Sequence, residues 1–358
     1  MFPISNGVKI GIVLHPYGED KPAGLGRAIF EITQNLIALD QKNEYVVFLR
    51  KQPKTLPEFL GKNWRVKIAD YKFLWLDRAL WGENLDVCIF NTPVISFFVR
   101  PKKAIVIAYD FAYDDFGPKR LLKLYHRFSL KAADLIISIS EATKKEIIKL
   151  FNISADKVKV IYLGYYDISR KTADPVQNLP EKFFLFVGVI KKRKNVLGVV
   201  KAFHKFKAIS NSNHKLIIAG WGSGEYFEEI KNYIEKNNLS RDIFIREDIR
   251  GDKLSEVYKK AEVVLYPSFI EGFGFPVLEA MSCGTSVITS NISSLPEVAG
   301  DAAILVDPNN ADEIARAMKD IVENQSLRSE LIRKGFEQIK KFSWQKTAKE
   351  YFDTISRL

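Results

Sequence analysis

The stretch VVLYPSFIEGFGFPVLEAMSCGTSVIT, residues 263–289, decides how the rest of the chain is read. Its first four residues form an apolar run of strand length. The run gives way to a loop in which Gly272 and Gly274 flank Phe273, and Pro276 suits the first turn of a helix that Gly284 closes. A second apolar run at 286–289 completes a strand, helix, strand unit. Strands apolar along their whole length lie in a parallel sheet covered on both faces by helices.

The same alternation extends in both directions. Upstream within the second half, residues 183–187, 215–219 and 243–245 are apolar runs of strand length separated by helical stretches. The first half shows its own series at 8–14, 45–49, 87–90, 104–109 and 135–140, with helices expected over 27–39 and from Glu141 onward. Between about 167 and 181 the periodicity lapses into the polar, two-proline segment SRKTADPVQNLPEK, which reads as an interdomain linker. The expectation is an α/β protein with two Rossmann-like domains, 1–170 and 180–341, facing each other across a cleft. Ligands of such sheets sit outside the carboxyl ends of the strands.

Length and composition agree with that division. The 358 residues exceed a typical single domain, and 47% hydrophobic with 27% charged residues is ordinary globular content. No apolar run approaches the roughly 20 residues of a spanning helix, and no signal peptide is expected. Two cysteines, Cys88 and Cys283, argue against a disulfide framework and for a reducing, cytoplasmic setting. Of the net charge of +11, residues 1–170 carry +8. An anionic partner is therefore drawn to the first half; nucleic acid, a lipid surface and a phosphorylated acceptor all satisfy the charge.

Chemistry concentrates at three glycine turns. In the quoted stretch, Glu271 lies on the loop and Glu279 on the first turns of the helix, while Gly272 and Gly274 let backbone come close to a ligand. The following helix N-terminus offers amides to phosphate oxygens. After the strand 183–187 comes Gly188, then Lys191, Lys192, Arg193 and Lys194, a cation run suited to a diphosphate whose charge grows as a bond to it breaks. The third turn, Ala23-Gly24-Leu25-Gly26-Arg27, lacks the third glycine and the later acidic residue of a dinucleotide fingerprint, which disfavours an oxidoreductase. A plain turn is the other reading there.

Taken together, these segments resemble glycosyltransferase family 4 of the GT-B fold, whose signature is two glutamates separated by seven residues around a Gly-Phe-Gly turn. Glu271 and Glu279 match it, and TSVITSNISSLPEVAGDAAILVDPNN downstream looks like the family's continuation. The resemblance implies that Glu279 binds the ribose of a nucleotide-sugar donor, and that Glu271 with the Gly272, Phe273 and Gly274 backbone contacts the transferred sugar. Arg193 and Lys194 would then hold the donor diphosphate beside Gly188, and Gly24 would approach it from the first domain. The C-terminal segment from Phe342 resembles the helix that crosses back to that domain. Retention of configuration, independence of metal and the absence of a cofactor or nucleic-acid partner are likewise implied.

Two departures stand out. Many relatives have Arg directly after the glycine where this chain has Val189, and relatives usually show His-Asp where it has Tyr109-Asp110. Tyr109, Asp110 and Asp114 are the acceptor-side candidates, with Asp110 counted beside Glu271, Arg193 and Lys194 in catalysis. The segments around SSLPE and EGFGFPVLEAM look most like the mannosyltransferase-like branch serving bacterial surface polysaccharides. GDP-mannose is thus the first expected donor, a UDP-sugar the second, and a glycan or lipid-linked molecule the acceptor. The rivals are an epimerase or phosphorylase on the same fold, and a non-catalytic nucleotide-sugar-binding subunit. The four histidines show no ligand spacing and no Asp-x-Asp sits at a strand end, so no metal site is expected.

A helix expected from Pro118 to Ala133 carries Lys119, Lys123, Arg127 and Lys131 at every fourth residue, with Leu121, Leu124, Tyr125 and Phe128 beside them. It reads either as an interfacial helix guiding the protein to the inner face of an anionic membrane or as an ordinary helix with a wet basic face.

Overall fold

The computed structural model describes residues 7–17, 24–111, 119–172 and 175–358. The chain forms two compact units, Met1–Gly164 with Phe342–Leu358, and Tyr165–Lys341. The polar segment expected to link them belongs to the second unit, because hydrogen bonds tie it down: the Val176 amide donates to Glu256 at 2.7 Å and Lys171 pairs with Asp252 at 2.6 Å.

The first unit runs β1 (Lys9–Val13), α1 (Gly24–Leu39), β2 (Glu44–Leu49), β3 (Trp64–Ile68), α2 (Trp75–Leu80), β4 (Val87–Phe90), β5 (Lys103–Ala108), α3 (Lys119–Ala132), β6 (Leu135–Ser138), α4 (Glu141–Phe151) and β7 (Val158–Val160). Among the described residues its seven strands pair in the order β3-β2-β1-β4-β5-β6-β7, every pair parallel. The central strands are buried along nearly their whole length, which is why their sequences are continuous apolar runs. The last helix of the chain, α12 (Trp344–Ile355), is capped by Ser343 and packs on α1. Thr347 Oγ1 donates to the Tyr162 carbonyl at 2.8 Å, and Lys159 reaches Thr354 at 2.6 Å.

The second unit repeats the winding with β8 (Phe183–Val187), α5 (Val196–Ile209), β9 (Lys215–Ala219), α6 (Glu225–Lys236), β10 (Ile243–Arg246), α7 (Lys253–Lys260), β11 (Val263–Tyr266), α8 (Phe275–Ser282), β12 (Ser286–Ser290), α9 (Leu295–Ala299), β13 (Ile304–Val306), α10 (Ala311–Glu323) and α11 (Gln325–Ile339). Its six strands are also all parallel, in the order β10-β9-β8-β11-β12-β13. In each sheet the strand order reverses beside the first strand, between β1 and β4 and between β8 and β11. Such a reversal leaves a crevice at the strands' carboxyl ends, because the neighbouring crossovers depart to opposite faces.

Every strand expected from the sequence is present, and three more are found: β3, β7 and β13. All three lie at sheet edges, and β3 and β13 are largely half-buried or exposed. Arg65 and Lys67 interrupt the apolar run of WRVKI, as an edge strand tolerates, and VKV and ILV are only three residues long, so none of the three stands out as an apolar run of strand length.

Candidate active site

The crevice of the second sheet collects the residues singled out in its sequence. Gly188 follows β8 at φ +143°, backbone that side-chain-bearing residues rarely adopt. Its amide donates to the Ala219 carbonyl at 3.0 Å, and the Ile190 amide to Trp221 at 2.8 Å, so the loops after β8 and β9 run side by side. A single turn, Lys192–Lys194, then leads to Asn195, itself at φ +57° and buried. Asn195 Nδ2 donates to the carbonyls of Pro267 at 3.0 Å and Pro308 at 2.7 Å, which clamps this turn to the loop after β11.

That clamp aims two cations at one carboxylate. Lys194 Nζ bonds Glu271 Oε1 and the Tyr266 hydroxyl, and lies 5.0 Å from the centre of the Tyr266 ring. Arg193 Nη1 is 3.5 Å from Glu271 Oε2 and donates to the Ile270 carbonyl at 3.1 Å. Tyr266 donates to Glu271 at 2.8 Å. Burial pushes the Glu271 carboxyl up, but the charges of Lys194 and Arg193 and the hydrogen bonds from Lys194 and Tyr266 outweigh it and hold the group below its ordinary value. Its backbone is pinned as well: the Glu271 amide donates to Ser293 Oγ at 3.0 Å, while the hydroxyls of Ser293 and Ser294 both donate to its carbonyl at 2.8 Å.

Gly272 is buried in the same loop, and Gly274, at φ +120°, caps α8, where Pro276 occupies the first turn. The Phe273 ring is 3% exposed and packs edge-on against Phe275 at 5.4 Å, so only the backbone of this position can meet a ligand. Glu279 Oε2 accepts from the Tyr258 hydroxyl at 3.0 Å. Burial and then Glu279 itself keep that hydroxyl far above the ordinary tyrosine range, so it stays a donor. Each glutamate of the motif is thus oriented by a buried tyrosine.

In the first unit the candidates are more dispersed. Gly24 is exposed and opens α1; Ala23 and Asp114 lie outside the described residues. Tyr109 is 7% exposed and donates to Asn91 Oδ1 at 2.6 Å, while Asn91 Nδ2 donates to the His15 carbonyl at 2.8 Å. These bonds brace the carboxyl ends of β1, β4 and β5. Asp110 is exposed beside Glu146, whose carboxyl is raised by burial first and by Asp110 second. On α3 the Lys119 side chain is outside the described residues, but Lys123, Arg127 and Lys131 are exposed. Among the described residues no group of three or more His, Cys, Asp or Glu could hold a metal ion, and no helix is long and apolar enough to cross a membrane.

Comparison with known proteins bears on these observations directly. Residues 22–166 match the Glycosyltransferase Family 4 model and residues 167–338 the Glycosyl transferases group 1 model. O-antigen chain mannosyltransferase B of Escherichia coli is 30% identical over 315 residues, 84% of this chain and 79% of that protein. The chain belongs to the family 4 glycosyltransferases, in their mannosyltransferase-like branch. Serotype-specific mannosyltransferase WbdA of E. coli is also 30% identical, over 236 residues that are 63% of this glycosyltransferase but 29% of WbdA. Among solved structures, HepE of Anabaena in complex with UDP and glucose superposes with a TM-score of 0.75 at 17% identity, covering 98% of this chain and all of that one. The glycosyltransferase has the GT-B fold.

The sequence brought forward both glutamates and both cations of this site, and the structure puts Arg193, Lys194 and Glu271 in contact. It did not bring forward Tyr258, Tyr266, Asn195, Ser293 or Ser294. Asn195 carried one readable signal, a residue tolerant of positive φ directly after the cation run.

Proposed function

We propose that this glycosyltransferase transfers mannose from GDP-mannose, with a UDP-sugar as the second choice of donor, to a lipid-linked or polysaccharide acceptor in bacterial surface polysaccharide synthesis, with retention and without a metal ion. One observation carries the reading: two cations and a carboxylate meet where the strand order of the second sheet reverses, with Glu279 presented from the next helix. Arg193 and Lys194 neutralise the leaving diphosphate, a task that a metal performs in other enzymes. Glu279, fixed by Tyr258, binds the ribose hydroxyls; Glu271 and the backbone of Gly272 to Gly274 orient the sugar. Asp110 stands on the acceptor side. The names of the E. coli mannosyltransferases support mannose, and the UDP and glucose in HepE support a nucleotide sugar.

A thermal-shift screen of GDP, UDP, ADP and their sugars tests the donor. GDP and GDP-mannose are expected to raise the melting temperature most, since a ligand at 100 times its Kd stabilises the native state by about 2.7 kcal/mol. Transfer of radiolabel from GDP-mannose to a lipid or glycan fraction then separates this reading from a non-catalytic subunit, which would bind without turnover, and from an epimerase, which would return a rearranged donor. Shifts with ADP alone would overturn it.

The acceptor side extends to a surface on the first unit. Leu121, Leu124, Phe128, Phe97 and Phe98 are all exposed, Phe98 at 77%. Phe97 stacks on Tyr125 at 4.9 Å, and Arg100 lies over the Phe128 ring at 5.5 Å. Neither α3 nor residues 94–103 contain an acidic residue, so apolar area ringed by Arg100, Lys123, Arg127 and Lys131 suits the anionic inner face of a plasma membrane. At about 1 kcal/mol per cation near such a surface, replacing Lys123, Arg127 and Lys131 by Glu is expected to cut co-sedimentation with anionic phospholipid vesicles by roughly 100-fold or more in affinity. Equal pelleting of variant and parent would refute the surface.

A further inference from the structure

The cations assigned to the diphosphate are already engaged in the chain alone. Lys194 and Arg193 converge on Glu271, whose side chain is 8% exposed and which also receives the Tyr266 hydroxyl. Four serine hydrogen bonds fix the surrounding loop backbone, from Ser293 and Ser294 to the carbonyls of Glu271 and Phe273 and from the Glu271 amide to Ser293. The side chain can therefore move without the loop. A carboxylate and a phosphate ask for the same thing here, N–H groups carrying positive charge, and neither cation can serve both anions at full strength. A buried anion that loses its cations becomes expensive to keep charged.

We propose that Glu271 is an internal stand-in for the donor diphosphate: incoming phosphates take Lys194 and Arg193 from it, and the displaced carboxyl becomes available to the sugar. The inference rests on the reading that these two cations hold the diphosphate, and adds a competition to it. The sugar end of the site is completed only after the phosphates are seated. The nucleoside diphosphate product, having no sugar to engage the freed carboxyl, is pushed out as Glu271 returns. Displaced beside phosphate charge, the carboxylate takes up a proton from solvent.

Calorimetric titration of GDP, UDP and inorganic pyrophosphate into parent protein and Glu271→Gln tests the exchange. With the competing anion gone, the variant is expected to bind the diphosphates about tenfold tighter or more, as the binding-competent fraction approaches one, while its transfer rate falls. A residue that only touched sugar would leave pyrophosphate affinity unchanged, and a merely structural one would weaken it; either result overturns the exchange while the assignment of the site stands. The parent is expected to take up protons on binding GDP, measured in buffers of differing ionisation enthalpy, a readout that needs no variant. No uptake also overturns the exchange. A parent that binds none of the three diphosphates overturns the assignment itself.

Discussion

A Lys194→Met variant is expected to lose transfer by about 10²- to 10³-fold in kcat, the usual cost of removing one preorganised charge from a transition state. Methionine keeps the length of the stem, so the loss reports the ammonium. Stability falls too. Glu271 is left buried with Arg193 at 3.5 Å and the Tyr266 hydroxyl at 2.8 Å, and breaking a buried pair from one side costs about 3–5 kcal/mol. In the parent, Glu271 sits below its ordinary value of 4.5. It therefore contributes stability that is present above the unfolded value and lost as pH falls through the folded one. Removing Lys194 takes away the strongest of the influences that lower it, so burial prevails and the folded value rises. The deficit relative to the parent is expected to shrink as pH falls through the parent's folded value and to widen as pH rises above it, followed by thermal melts across the acid range. A deficit independent of pH would separate Lys194 from Glu271, and undiminished transfer would remove it from the diphosphate site.

What the sequence disclosed follows a physical line. A central parallel strand is buried on both faces, so 183–187 or 104–109 must be apolar throughout, and such runs can be seen without a structure. Strand β3 pairs with β2 alone, and its Arg65 and Lys67 both pair with Glu83. Its apolar residues Trp64, Val66 and Ile68 therefore alternate with charged ones instead of forming a continuous run.

The site divides in the same manner. Glu271, Glu279, Arg193 and Lys194 are charged groups beside glycine turns, which few structural roles require. Tyr266 and Tyr258 read as core aromatics because they are core aromatics; only the position of a hydroxyl at the end of a buried ring makes them orienters of the two glutamates. The bond from Tyr109 to Asn91, 18 residues earlier, is hidden in the sequence for the same reason.

Gly220→Ala is expected to disable the same site without touching a charged residue. Gly220 follows β9, and a Cβ placed there would collide with the Gly188 carbonyl oxygen and stand 2.9 Å from its carbon. The obstacle is backbone, which cannot rotate aside as a side chain can. Nor can the two loops drift apart freely, because the bonds from Gly188 to Ala219 and from Ile190 to Trp221 join them on either side of the contact. Alanine must break those bonds or displace the turn that carries Arg193 and Lys194. Forcing extra volume into a filled position costs about 1–3 kcal/mol, and losing the hydrogen bonds adds about 1 kcal/mol each. At 2–4 °C per kcal/mol for a unit of this size, the melting temperature is expected to fall by roughly 6–20 °C. GDP affinity should fall with it, since the cations no longer aim where Asn195 holds them. A variant that melts within two degrees of the parent and binds GDP equally well would mean that the loops part easily, and that close backbone packing is not what positions the cations.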